Sequence, residues 1–241
     1  MLNIAHRGAL TEAPENSMEA FQIAFNVGSE RLELDTHPNF DQIPYVIHDE
    51  TLDRTTQLTG EVRNSTVGEL AQATLSNGEP IPTLLQVIER FAPQMEINIE
   101  IKGTEVDFIK NIVTMCEIHR HKIIISSEFL DTLTLVKKLD PLLSIACLLP
   151  CRQNNNTNEE YTMDEAMALT HAKIAHPEAK LVTTSMMETA RRKGWDVFTW
   201  ISRHDEEKQP EDIWEKLQNL GVHGHCTNQP RSFKRWLDSQ R

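Results

Sequence analysis

The chain has 241 residues, a formal net charge of −12 and a mean hydropathy of −0.43. That length suits one α/β barrel or two small domains, and apolar runs of only a few residues exclude a membrane span, which needs about 20. The acidic balance, with no Lys/Arg block, excludes a nucleic-acid surface, because such surfaces work by neutralising phosphates.

Along the chain, short strand-like apolar runs alternate with stretches of helical period, the pattern of βα units around a parallel sheet. The first strand is predicted over Leu2–Arg7 and its helix over Ser17–Val27, with Asn16 and Glu19 as N-cap and capping box and Gly28 as the stop. The second strand, Arg31–Thr36, runs into Pro44–His48 with no room for a crossover helix, so the two are expected to pair as a hairpin. Residues 37–82 are therefore read as an insertion after strand 2, with a short helix near Val67–Ala73, before the helix Thr83–Phe91. The remaining strands are predicted over Met95–Lys102, Lys122–Ser127, Leu143–Leu149, Lys173–His176, Asp196–Ser202 and Val222–Thr227. Their helices are Val106–His119, Leu130–Leu139, Met163–His171, Thr184–Lys193, Ile213–Leu220 and Arg231–Gln240, and the polar tract Arg152–Glu160 is expected as a solvated loop. Eight βα units predict a closed TIM (β/α)8 barrel, one domain over 1–241, with the insertion on the face where barrel active sites lie.

Cys116, Cys147, Cys151 and Cys226 form no CxxC pair, which favours reduced thiols used in packing. The residues before His6 show no secretory pattern, so a cytoplasmic address is expected.

In LELDT, strand alternation sets Glu33 and Asp35 on one face and Leu32 and Leu34 on the other. In INIEIK, Asn98, Glu100 and Lys102 likewise oppose Ile97, Ile99 and Ile101. Two strands with wet faces would show the same pattern, but a parallel barrel is covered on both faces, so a polar stripe near strand ends points to the barrel mouth. Three converging carboxylates need a neutralising partner. The all-oxygen set Glu33, Asp35 and Glu100 suits a hard divalent cation, magnesium or calcium, better than zinc. His6 ends strand 1 and His48 ends the hairpin strand, so both can reach the same mouth as general base and general acid. Arg7 and Lys102 offer cations to the non-bridging oxygens of an anion. Together these parts describe phosphoryl transfer at a phosphodiester.

Other residues carry weaker signals. Trp200 is a candidate to stack on substrate, although an aromatic on a barrel strand also suits the core. His37 shares the parity of Glu33 and Asp35 but lies past the predicted strand end, as a turn residue. Asp53 and Arg54 read as a local ion pair, and Glu15 and Asn16 as shaping the turn after strand 1 in support of Arg7. His119, His121, His171, His176, His204, His223 and His225 share no metal-ligand spacing.

The motifs His6-Arg7-Gly8, Pro14-Glu15-Asn16-Ser17, Glu33-x-Asp35, His48-Asp49 with TLDRTT, PIPTL at Pro80–Leu84, IEIK at Ile99–Lys102, ISSEF and FTWIS occur here in one order and spacing. In that combination the chain resembles the glycerophosphodiester phosphodiesterases over nearly its whole length. The resemblance implies a TIM barrel with an inserted subdomain, a divalent metal on Glu33, Asp35 and Glu100, and His6 and His48 as the acid–base pair. It also implies a small-molecule glycerophosphodiester as substrate, cleaved to glycerol 3-phosphate and an alcohol. Two departures stand out. Phe40-Asp41-Gln42 replaces the expected Lys-Asp-Gly turn, and the last strand reads His223-Gly224-His225-Cys226-Thr227-Asn228 in place of Asp-Gly-x-x-Thr-Asp.

Two rivals are a related barrel phospholipase acting through a cyclic phosphate and a silent barrel that binds a phosphometabolite. The first needs an apolar, membrane-facing rim, and the second predicts loss of a histidine or a metal carboxylate, all five of which are present. A metal-dependent amidohydrolase is disfavoured, since strand 1 offers His-Arg-Gly where His-x-His ligands are wanted.

Overall fold

A computed structural model describes residues 1–202 and 210–240, so His204 lies outside the described residues. Strands β1 (Leu2–Ala5) and β2 (Arg31–Pro38) flank helix α1 (Met18–Val27), and β3 (Pro44–Val46) folds back antiparallel on β2. After α2 (Val67–Leu70) and α3 (Leu84–Phe91) come β4 (Glu96–Ile101), α4 (Val106–Cys116), β5 (Ile123–Phe129) and α5 (Leu130–Leu139). Next are β6 (Ser144–Arg152), β7 (Glu160–Tyr161), α6 (Met163–Thr170), β8 (Ile174–Pro177), α7 (Thr184–Lys193) and β9 (Asp196–Trp200). The chain closes with α8 (Pro210–Leu220), β10 (Gly224–Thr227) and α9 (Pro230–Ser239).

Eight of these strands pair in parallel in the order β1-β2-β4-β5-β6-β8-β9-β10, and β10 returns to β1, which closes the TIM barrel. The outward faces make the main core: Leu32, Leu34, Ile97, Ile99, Ile101 and Ile125 pack under the helices and are fully buried. Inside the barrel the lining is split. Ile4, Phe198 and Cys226, with Leu2, Ile174 and Trp200 against them, fill one side. Arg31, Glu33, Asn98 and Ser126, all buried, line the other. The apolar plug needs a glycine at 224, because a Cβ there would stand 2.7 Å from the Phe198 ring. At the bottom, Arg31 donates to Glu96 at 2.7 and 3.0 Å and lies 4.5 Å over the Phe198 ring.

The segment between β2 and α3 has a core of its own, in which Tyr45, Ile47, Leu52, Val62, Leu70, Leu75 and Ile81 are buried together. Several local predictions need correction. Strand β1 stops at Ala5, so His6 and Arg7 lie in the turn beyond it. The α1 cap is Ser17, whose hydroxyl accepts from the Ala20 amide at 2.9 Å, and Asn16, at φ 57°, turns its side chain elsewhere. His37 lies within β2 and is not a turn residue. The tract after β6 is a solvated loop over 153–159, as expected, but its ends pair as a hairpin, with Cys151 opposite Tyr161 and Arg152 opposite Glu160.

Candidate active site

Parallel register puts Glu33 beside Asn98 and Asp35 beside Glu100 on the inward face of β2 and β4. The three carboxylates Glu33, Asp35 and Glu100 converge there, each offering an oxygen within 4.8 Å of the others. Burial, and then repulsion from Asp35 and Glu100, push the Glu33 carboxyl well above its ordinary range. Burial likewise raises Glu100, with Lys102 opposing. Asp35 goes the other way: burial penalises its charge, but Lys102, Arg7 and a hydrogen bond from Asn16 outweigh that and hold it far below the usual carboxylate range.

The contacts explain the split. Lys102 Nζ lies 2.6 Å from Glu100 Oε1 and 3.2 Å from Asp35 Oδ1, and Arg7 Nε lies 3.1 Å from Asp35 Oδ2. Asn16 Nδ2 donates to the same Asp35 oxygen at 2.9 Å, and the Arg7 amide donates to Glu33 Oε2 at 3.1 Å. Arg7 reaches this position in a left-handed conformation, φ 52°. Gly8 follows at φ 80°, so close to α1 that a Cβ would stand 2.7 Å from the Ala20 carbonyl carbon.

Two histidines face the same opening. His6 Nδ1 is 2.7 Å from Asn228 Oδ1, at the end of β10, and its Nε2 is 3.9 Å from Glu33 Oε2. His48 sits just past β3, with Nδ1 2.7 Å from Asp49 Oδ1. An amide oxygen and a carboxylate only accept, so both rings carry their proton on Nδ1. Asp49 in turn accepts from Arg54 Nε at 2.7 Å, and the Arg54 fork continues to both oxygens of Glu15, each at 2.7 Å. Glu15 accepts from Arg7 at 2.9 Å. A charge chain thus runs from His48 to Arg7. Arg54 pairs with these two acids and not with Asp53, whose carboxylate caps the Gly60 amide, a correction to the local pair expected from sequence. His37 Nε2 lies 2.9 Å from the His48 carbonyl and braces that loop.

His6, Arg7, Glu33, His48, Glu100, Lys102 and Trp200 all line one cavity of about 260 Å³, and Asp35 lies buried beneath it. A wider groove of about 490 Å³ adjoins, sharing Glu100, Lys102 and Trp200 and extending to Glu128, Arg152 and Glu160. Glu15, Glu33, Asp35, Asp49 and Glu100 face Arg7, Arg54 and Lys102, so with every carboxyl ionised these groups carry two net negative charges, the complement of one divalent cation. The oxygen-only donor set and the raised Glu33 and Glu100 both fit such an ion. Contacts that cross the barrel, such as Asn228 on His6 and Asn16 on Asp35, leave no periodic trace in sequence; His37 was visible only through its parity.

This geometry has close relatives. The glycerophosphoryl diester phosphodiesterase family model matches residues 6–232. A glycerophosphodiester phosphodiesterase of Caldanaerobacter subterraneus subsp. tengcongensis is 32% identical, with 96% of each chain covered. Among solved structures, a glycerophosphodiester phosphodiesterase of Thermotoga maritima aligns at TM-score 0.79 and 26% identity, covering 98% of both chains. A phosphodiesterase of Oleispira antarctica, in complex with the product sn-glycerol-3-phosphate, aligns at TM-score 0.85 and 24% identity, covering 99% of this chain and 97% of that one. With the family motifs gathered at the mouth of one barrel and the match running through nearly every βα unit, the chain belongs to the glycerophosphoryl diester phosphodiesterase family.

Proposed function

We propose that the protein hydrolyses soluble glycerophosphodiesters to glycerol 3-phosphate and an alcohol, with His6 and His48 as its acid–base pair. In this reading magnesium or calcium sits on Glu33, Asp35 and Glu100, and Arg7, Lys102 and Trp200 contact the substrate. The observation that carries it is the convergence of two Nδ1-anchored histidines, three carboxylates and two cations on one cavity.

A bound divalent cation supplies Lewis-acid stabilisation of the charge that builds on the phosphoryl oxygens. The chain's own groups do the rest. With Nδ1 protonated, each imidazole keeps its lone pair on Nε2, the atom able to take a proton. One histidine takes a proton from water as the water oxygen bonds to phosphorus. The bond from phosphorus to the alcohol oxygen breaks, and the other histidine, which begins the cycle as the imidazolium with a second proton on Nε2, gives that oxygen this proton. Arg7 and Lys102 offer N–H donors to the non-bridging oxygens, and Trp200 offers a flat apolar wall between the cavity and the groove that takes the leaving alcohol.

Residues 37–82 act as an inserted subdomain within a single 1–241 barrel domain, and their task is to deliver His48. Among the described residues no helix is long and apolar enough to cross a membrane, and the reading takes the cytoplasm as the site of action.

The test is glycerol 3-phosphate release from glycerophosphocholine, glycerophosphoethanolamine and glycerophosphoglycerol, with and without EDTA. Release from at least one diester is expected, with chelation abolishing it and magnesium, calcium or manganese restoring it. No release with any of the three metals would sink the reading for these substrates.

A further inference from the structure

Among the described residues, His176, on β8, is the histidine of the cavity wall that the proposed chemistry leaves unused. Strand parity turns it into the barrel, opposite Leu148 of β6, and the residue is 4% exposed. Its Nε2 has no protein hydrogen-bond partner. A buried ring nitrogen without a partner costs free energy, so its persistence on a cavity wall calls for a ligand group. The surroundings define that group. Burial first, then the positive Arg31 below and His6 beside it, hold the imidazole neutral, with its pKa pushed down to about 3. A neutral imidazole is a poor partner for a phosphate, which Arg7 and Lys102 already serve. A cationic head group would face Arg31 close behind the ring. A hydroxyl, both donor and acceptor, fits a neutral imidazole in either tautomer.

We infer that His176 binds a hydroxyl of the glycerol moiety and so selects glycerol-bearing diesters over those of deoxygenated alcohols. The inference rests on the diesterase reading above and adds a specificity residue to it. The cavity of about 260 Å³ beside His6 and His176 then receives the constant glycerol phosphate, and the groove of about 490 Å³ receives the variable alcohol. His176 makes no bond to a reacting atom in this scheme.

The test compares glycerophosphocholine with two analogues in which glycerol is replaced by 1,2-propanediol or 1,3-propanediol, each lacking one hydroxyl. Loss of one buried hydrogen bond is expected to cost about tenfold to a hundredfold in kcat/KM. Wild type should therefore disfavour at least one analogue by that factor. His176→Leu should lower kcat/KM on glycerophosphocholine about as much, mainly through KM, and leave that analogue within about threefold of wild type. His176→Gln, which restores a donor and an acceptor, should recover most of the loss. Calorimetric binding of glycerol 3-phosphate against the two propanediol phosphates reads the same contact without turnover. If the protein is inactive on all diesters, the parent reading fails while the binding comparison still decides this one. Equal losses for His176→Leu on all three diesters, or unchanged discrimination in both assays, would overturn the inference.

Discussion

Asp35 is the most constrained carboxylate of the site. Arg7 and Asn16 both reach it from left-handed backbone conformations, at φ 52° and 57°, each of which costs about 1–3 kcal/mol and persists only where surrounding contacts demand it. Glu33, two residues earlier, has the Arg7 amide, that guanidinium's more distant charge and the His6 ring at 3.9 Å in its favour, but no lysine or arginine ion pair, so its charge is poorly compensated. The consequence for metal-free protein has a definite sign. A carboxyl whose folded pKa lies above the ordinary 4.5 contributes stability that is full below that pH and is lost as pH rises through the raised value. Chelated Glu33→Gln should therefore be more stable than chelated wild type at pH 7.5, by about 1–3 kcal/mol in urea unfolding. Adding magnesium or calcium should raise the wild-type Tm clearly and move the variant much less. Equal stability of the two chelated proteins at every pH would show that Glu33 carries no buried charge.

Among the elements, the segment between β2 and α3 packs its own small core and carries His48 to the barrel mouth. Its anchor is Arg54, which joins Asp49 behind His48 to Glu15 behind Arg7. Arg54 and Asp49 are partly solvated, so the pairs add little to stability. Their use is positional. Arg54→Ala should change unfolding free energy by less than about 1 kcal/mol but lower kcat about tenfold or more, with KM nearly constant. A variant with wild-type kcat would show that Asp49 alone orients His48. Such a chain of contacts was not legible in the sequence, since the Arg54–Glu15 bond that joins its two loops spans 39 residues. The carboxylates were, because Glu33, Asp35 and Glu100 obey the two-residue period of a strand. Asn16 misled for a physical reason: Asn at that place is a good N-cap, and only its left-handed backbone diverts it to Asp35.

For the whole molecule, the closed barrel was readable because each apolar outer face, such as Ile97, Ile99 and Ile101, demands a covering helix, and eight repeats leave no open edge. Strand ends were less readable. His6 and Arg7 continue the strand composition of LNIA but stand in the turn, and the β6–β7 hairpin hides in a polar tract whose ends happen to pair. The fold thereby brings residues 6, 33, 48, 100 and 228, from one end of the chain to the other, around a single opening. In the proposed mechanism two histidines move the protons there. The most direct measurement is the rate of glycerol 3-phosphate release from glycerophosphocholine by metal-saturated wild type, His6→Ala and His48→Ala. Each variant is expected to lose about 10²–10⁴-fold in kcat while keeping the metal-induced rise in Tm. Near wild-type turnover by either variant, with its fold intact, would contradict the account.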